Sequence, residues 1–97
     1  MNRSDLLNTL AEFKRIEGDK YGLLSIGVFG SFAREQASEF SDADIVVMTE
    51  TPDPFIMVHI KEDLEERLRM PVDLVRFREK MNPFLRRRIE KEAVYVR

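Results

Sequence analysis

The sequence contains no cysteine and no tryptophan, and it has a single histidine. Without cysteine the chain can form neither a disulfide framework nor a thiolate zinc site, and the absence fits a reducing compartment. No apolar run approaches the roughly 18 residues expected of a membrane helix. The first 20 residues are polar and amphipathic, unlike a signal peptide. These absences predict a soluble, cytoplasmic protein without a membrane partner.

The length and the net charge of the chain bear on the number of domains and on binding to nucleic acid. The 97 residues are enough for one compact domain, spanning 1–97, and too few for two. The formal net charge is −2, so the chain lacks the positive excess that would hold it on nucleic acid. We therefore expect a single domain that does not bind nucleic acid.

Hydrophobic spacing and helix-breaking residues predict the secondary structure. Ser4 is expected to cap the first helix, Gly18 to end it, and Asn82-Pro83 to begin the last helix. The first strand is apolar on both faces and should be central. The pattern predicts an α/β (α+β) fold, a small mixed sheet of three to four strands with about four helices. The elements are helix 4–17, strand 23–29, short helix 31–36, strand 43–48, helix 54–69, strand 72–77, helix 83–93, and an edge strand or docked tail at 94–96.

Helical spacing also assigns individual side chains. Phe55, Met57 and Phe84 are expected in the core. His59 lies at the edge of an apolar stripe, which favours a packed or surface histidine over a ligand. The basic run Arg86–Arg88 could meet an acidic partner, a nucleotide or RNA, although a solvated helix face is favoured.

Two polar segments adjoin the central strands. Gly30-Ser31 follows the first strand, and its backbone N–H groups and hydroxyl suit a phosphate. Asp42 and Asp44 open the second strand, where alternation would place both carboxylates on one face. Because two adjacent carboxylates repel each other, the pair favours a hard divalent cation such as Mg²⁺. Asp-x-Asp alone is more often a surface pair beside a turn.

A third acidic residue, Asp73, favours a metal site over a surface pair. Asp73 lies within the apolar third strand, and the 28 residues that separate it from Asp44 allow one helix to cross and return the chain to the same sheet. Three acids on neighbouring strands would destabilise the fold unless they hold metal. Together with the Gly-Ser turn, they indicate nucleotide chemistry.

The combined pattern resembles the minimal nucleotidyltransferases of the DNA polymerase β superfamily. The resemblance rests on Gly-Ser-x-Ala-Arg, the Asp-x-Asp pair seven residues later and the later Val-Asp-Leu-Val, and it covers the chain from Ile26 to Val96. It implies two Mg²⁺ ions with ATP as substrate, and Asp42, Asp44 and Asp73 as catalytic metal ligands. It also implies that Gly30 and Ser31 hold the triphosphate.

Two further residues complete the expected nucleotide-binding set, and two depart from the family's pattern. Ser41 precedes the Asp pair, and Arg34, three residues past Ser31, could reach the phosphates. A surface ion pair of Arg34 with Glu35 or Glu39 is an equal alternative. Glu35 stands where the family usually has glycine, and an added charge there could weaken nucleotide binding. Ala43 replaces a larger aliphatic residue and should be harmless.

The resemblance implies an antitoxin-like protein whose partner is a HEPN-domain toxin. The first hypothesis is a Mg²⁺-dependent enzyme that transfers AMP from ATP to a tyrosine hydroxyl of that partner, because no separate acceptor-binding domain is evident. Its chemistry joins the hydroxyl to the α-phosphorus and expels pyrophosphate. A non-catalytic module that neutralises the partner by contact is the second hypothesis. Transfer to a small-molecule hydroxyl is the third.

Overall fold

The computed structural model describes residues 1–96, and its elements follow the predicted order. The fold class is as predicted, with four helices packed on a four-stranded mixed sheet. Among these residues, no helix has both the length and the apolar character needed to cross a bilayer. The elements are α1 (Arg3–Tyr21), β1 (Leu23–Phe29), α2 (Gly30–Ala33), β2 (Ala43–Thr49), α3 (Pro54–Leu68), β3 (Val72–Arg76), α4 (Pro83–Glu92) and β4 (Val94–Tyr95).

The sheet has the strand order β3-β2-β1-β4, so β1 is central as its apolar sequence predicts. β1 runs antiparallel to both β2 and β4, whereas β2 and β3 are parallel. The parallel pair is joined through α3, the predicted crossing helix. This topology brings the beginnings of β2 and β3 and the end of β1 to one edge of the sheet. The three segments that carry the polar motifs therefore meet there.

Both predicted ends of α1 are wrong. The N-cap is Asn2, whose side chain accepts a hydrogen bond from the Asp5 N–H (2.8 Å), while the Asp5 carboxylate accepts one from the Asn2 N–H (3.4 Å). This reciprocal capping box begins the helix before Ser4. At the other end, the helix continues through the buried Gly18 and stops at Gly22, which adopts a left-handed conformation with φ of 61°.

The short helix α2 is displaced from the predicted 31–36 to Gly30–Ala33. Arg34 is its C-cap, and Glu35 adopts a positive φ of 58°, which a continuing helix does not allow. The Glu35 N–H donates to the Phe32 carbonyl (3.1 Å), closing the last turn. The other element bounds differ from prediction by one residue or less.

The hydrophobic core occupies both faces of the sheet. α1 and α3 pack against one face, to which β2 contributes Ala43, Ile45 and Val47. α4 covers part of the other face, where Ile89 packs with Phe29 and Val46. Since alternate residues of a strand point to opposite faces, Asp44 lies on the α4 face.

Two of the three predicted core residues are exposed. Phe55 is 76% exposed and Phe84 is 74% exposed, whereas Met57 is partly buried against the core. Each phenylalanine lies in the first turn of its helix, where the cap and proline fix the helix start without burying the side chain. His59 is exposed, which matches the surface alternative.

Candidate functional site

Asp44 and Asp73 are direct neighbours across the parallel strands β2 and β3. Asp44 is largely buried, with 20% of its side chain accessible, and Asp73 is exposed. Burial raises the pKa of Asp44 above its ordinary value, and the charge of Asp73 raises it further. Like charges at such positions repel and destabilise the sheet. The strand pairing therefore produces an electrostatic strain that a bound cation would relieve.

Asp42 lies just outside this pair. β2 begins at Ala43, whose N–H donates to the Pro71 carbonyl (3.0 Å), so Asp42 belongs to the preceding loop rather than to the strand. Its side chain is exposed, and its charge contributes to the raised pKa of Asp44. The expected alignment of Asp42 with Asp44 stays a prediction.

The Gly30-Ser31 turn lies against Asp44. Phe29, the last residue of β1, pairs with Asp44 across the strands, so the turn begins beside the carboxylate. Gly30 adopts a φ of 71°, and a Cβ on it would collide with the Asp44 carboxylate. Glycine is therefore required here for its backbone conformation and for its lack of a side chain. The Ser31 side chain is half-buried in the same turn.

Arg34 forms an ion pair, but with neither of the two partners considered from the sequence. Its Nη1 lies 3.0 Å from each carboxylate oxygen of Glu92, at the end of α4. The Gly30 N–H also donates to Glu92, at 3.2 Å. Glu35 instead pairs with Arg3 at 3.3 Å. Glu92 thus joins the end of α4 to the Gly-Ser turn.

Three groups stabilise the charge of the Glu92 carboxylate, namely the Arg34 and Arg88 guanidinium groups and the Gly30 N–H. Burial works to raise its pKa, but hydrogen bonds from Arg34 and Gly30, with the charges of Arg34 and Arg88, outweigh burial and lower the pKa. The Arg34 and Arg88 guanidinium groups and the Gly30 N–H therefore stabilise a negative charge beside the turn, and in this structure the Glu92 carboxylate supplies that charge.

Arg88 also reaches this site from α4. Its Nη2 lies 3.9 Å from Asp44 Oδ2, and its Nε lies 3.6 Å from Glu92 Oε2. Its guanidinium stacks 5.5 Å from the centre of the Phe29 ring. Arg88 is thus not merely part of a solvated face, whereas its neighbour Arg87 stacks on the exposed Phe84 ring.

Ser41 is not brought to the turn by any contact among residues 1–96. Its hydroxyl accepts a hydrogen bond from the Ser38 N–H (2.9 Å) and closes a small loop before β2. The predicted role of Ser41 in nucleotide binding stays a prediction.

Comparison with known proteins identifies the family of the chain. Residues 10–96 match the family described as a nucleotidyltransferase domain, which covers most of the chain. The chain belongs to the nucleotidyltransferase family. As a family member it is an enzyme of the nucleotidyltransferase kind.

Two curated relatives of this nucleotidyltransferase match nearly end to end. A Methanocaldococcus jannaschii protein named among the protein adenylyltransferases is 37% identical over 94 residues, which are 96% of each chain. The protein adenylyltransferase MntA of Thermococcus cleftensis is 33% identical over 93 residues, covering 95% of this chain and 93% of that one.

Solved structures support the fold. One described as a minimal nucleotidyltransferase has a TM-score of 0.79 at 29% identity and covers 97% of this chain and 95% of that chain. A Shewanella oneidensis complex of a HEPN toxin with an MNT antitoxin has a TM-score of 0.68 at 21% identity, covering 96% of this chain and 70% of that one. The second likeness concerns the fold alone.

The side chains of this nucleotidyltransferase have the donor chemistry that Mg²⁺ prefers, since all three predicted ligands offer carboxylate oxygens. The raised pKa of Asp44 shows that its charge is incompletely balanced by the protein. Within residues 1–96, however, no three His, Cys, Asp or Glu side chains are grouped closely enough to hold a metal ion. The fold brings Asp44 and Asp73 together and leaves Asp42 at the margin.

Sequence reasoning missed Glu92 and did not predict that Arg88, which is exposed as a solvated helix face requires, also contacts Asp44 and Glu92. The i,i+4 spacing of these two residues marks one face of α4, but spacing alone cannot say that this face meets the Gly-Ser turn. That contact depends on β4, which directly follows α4 and pairs with β1.

Proposed function

We propose that this nucleotidyltransferase uses Mg²⁺ to transfer AMP from ATP to a tyrosine hydroxyl of a HEPN-domain toxin, and so acts as an antitoxin. The observation that carries the proposal is the register of Asp44 with Asp73 beside the Gly30-Ser31 turn. The carboxylates and the turn to which we assign phosphate binding thus lie at one edge of the sheet. The names of the relatives support AMP transfer to protein, and the fold likeness to an antitoxin in complex with a HEPN toxin supports the partner.

The roles of the side chains follow from their positions. Asp42 and Asp44 would provide oxygens to the metal, and the Gly30-Ser31 turn would bind the triphosphate. Mg²⁺, when bound, would lower the pKa of the attacking hydroxyl and offset charge on the phosphates. Asp73, the more exposed of the strand-paired carboxylates, would accept the proton of the acceptor hydroxyl.

The transfer balances without a further reactant. The tyrosine oxygen forms a bond to the α-phosphorus, the bond from that phosphorus to the oxygen bridging to the β-phosphorus breaks, and pyrophosphate leaves. The hydroxyl proton goes to Asp73. AMP thus remains on the partner as a phosphodiester.

The position of the site is compatible with an acceptor on another protein. Asp42 and Asp73 are exposed, so the acceptor hydroxyl can approach them from solvent. A separate groove of about 470 Å³ lies between the beginnings of α3 and α4 and contains none of the three aspartates in its lining. We therefore assign the partner's tyrosine to the open edge of the sheet rather than to this groove.

The test is labelling with ATP and Mg²⁺ in the presence of a candidate HEPN-domain partner protein. Label on that protein from α-labelled but not from γ-labelled ATP is expected. The double variant Asp42→Asn/Asp44→Asn should give none, because it removes two carboxylates while retaining similar side-chain size. Equal labelling by this variant would contradict the assigned metal site.

Two further outcomes separate the alternative functions. A stable complex without any label would favour neutralisation by contact alone. Label on a small-molecule hydroxyl, with none on the HEPN-domain protein, would favour the third hypothesis.

A further inference from the structure

The Arg88 guanidinium lies over the Gly30 backbone. Its Nη2 is 3.2 Å from the position that a Cβ on Gly30 would occupy. The same group faces Asp44 on one side and Glu92 on the other, at 3.9 and 3.6 Å. Arg88 therefore lies next to the Gly30-Ser31 turn, which the proposed function assigns to the triphosphate.

These contacts position Arg88 without engaging its hydrogen-bond donors. Its two ionic contacts, at 3.9 and 3.6 Å, are longer than ordinary hydrogen bonds, although a guanidinium carries five N–H donors. Arg34, by contrast, already bonds Glu92 at 3.0 Å. Stacking on Phe29 and the attraction of Glu92 thus hold Arg88 in place, with its donors still available to an oxyanion.

The pairing with Asp44 is also the one that the proposed chemistry removes. If Asp44 gives its oxygens to a metal ion, its attraction for Arg88 falls and Glu92 remains as the anchor. A planar guanidinium can bond two oxygens of one phosphate, which gives direction as well as charge. An incoming triphosphate would then supply the acceptor oxygens that Arg88 lacks.

We propose that Arg88 binds the triphosphate of ATP beside the Gly30-Ser31 turn, with Glu92 acting as the positioning residue for both Arg88 and Arg34. This inference rests on the proposed function, and it adds a substrate-binding residue contributed by α4. It also explains why the end of α4 is tied to the turn through the Gly30 N–H.

Arg87 provides a matched control on the same helix. It has the same charge as Arg88 and lies one residue earlier, but its guanidinium stacks 5.1 Å from the centre of the exposed Phe84 ring. Arg87→Ala and Arg88→Ala therefore remove equal charge from α4, and only Arg88→Ala removes a donor from the turn.

The experiment compares binding of AMP-PNP and AMP, each with Mg²⁺, to the parent chain and the variants by calorimetry. Arg88→Ala should weaken AMP-PNP binding by about tenfold or more, as expected for lost charge-assisted hydrogen bonds. AMP, which lacks the β- and γ-phosphates, should bind within about twofold of the parent. The AMP-PNP affinity of Arg88→Lys should lie between those of the parent and Arg88→Ala. The affinity of Arg87→Ala should match that of the parent.

The opposite results are equally informative. Unchanged AMP-PNP binding by Arg88→Ala, or equal weakening of AMP and AMP-PNP, would overturn the role of Arg88 while leaving nucleotide binding intact. Failure of the parent chain to bind either nucleotide would overturn the proposed function as well. If Arg88→Ala does not fold, as judged by its circular dichroism, Arg88→Gln gives the same comparison with the side-chain length largely kept.

Discussion

Replacement of Gly30 by alanine tests the close approach of the turn to Asp44. Gly30 and Gly22 both have positive φ, at 71° and 61°, so alanine at either position incurs the same conformational cost of about 1–2 kcal/mol. The reduced entropy of the unfolded chain offsets part of it equally at both sites. The surroundings differ, because a Cβ at Gly22 would lie 3.4 Å from the end of the Glu50 side chain. At Gly30 it would collide with a largely buried carboxylate.

The expected free energies follow from that difference. Gly22→Ala should lower the free energy of unfolding by about 1 kcal/mol after that offset, since the exposed Glu50 can move aside. Gly30→Ala should lose a further 1–3 kcal/mol, roughly, because the overpacked Asp44 is confined between strands. For a chain of this length each kcal/mol corresponds to about 4–8 °C in Tm. Urea unfolding of the two variants measures the difference directly.

A double variant isolates the cause. Adding Asp44→Ala to Gly30→Ala removes the collision, so the extra loss should largely disappear and the two substitutions should be strongly non-additive. If Gly30→Ala costs no more than Gly22→Ala, or if the double variant shows no coupling, Asp44 is not held against the turn. The close contact between Gly30 and the Asp44 carboxylate would then be refuted.

Two other predictions concern charge and backbone conformation around the same turn. Glu35→Gly should raise the free energy of unfolding by about 1 kcal/mol, because glycine adopts the observed φ of 58° without steric cost and the exposed pair with Arg3 contributes little. Thermal unfolding measures this gain, and unchanged AMP-PNP affinity in the same variant would show that Glu35 does not impair nucleotide binding. The lowered pKa of Glu92 predicts a stabilisation that is complete above the ordinary carboxyl pKa of about 4.3 and is lost as pH falls through the lowered value. Urea unfolding at a series of pH values from 7 to 3 measures this effect. The difference in the free energy of unfolding between the parent and Glu92→Gln should decrease as the pH falls. A difference that does not depend on pH would contradict the ionic contact.

The sequence predicted the fold well because its local signals are strong. Each strand is a short apolar run, and the prolines and the asparagine around α3 and α4 mark helix starts that the structure confirms. The errors at α1 have a local cause. Asn2 satisfies the free N–H groups two residues earlier than Ser4 could, and Gly18 is small enough to remain inside a helix.

The site was predicted less completely, because its contacts depend on tertiary structure. Alternation within β2 predicted only that Asp42 and Asp44 share a face, whereas the pairing of Asp44 with Asp73 depends on the crossing through α3. Nothing in the spacing of Glu92 indicates that it binds the Gly30 N–H 62 residues away. The same holds for Arg88, which looks on the helix like its neighbour Arg87 until α4 is docked.

The balance of charge at the edge of the sheet connects these observations. Four carboxylates, those of Asp42, Asp44, Asp73 and Glu92, share the site with the guanidinium groups of Arg34 and Arg88, which leaves two negative charges among the six groups. Both arginines contact Glu92 and only Arg88 contacts Asp44, so the excess negative charge lies on the aspartate side. One divalent cation carries the two positive charges that would offset this excess. With the Asp44 oxygens held by a metal ion, Arg88 would keep Glu92 as its ionic partner, and its guanidinium would be free to bind the oxygens of a triphosphate.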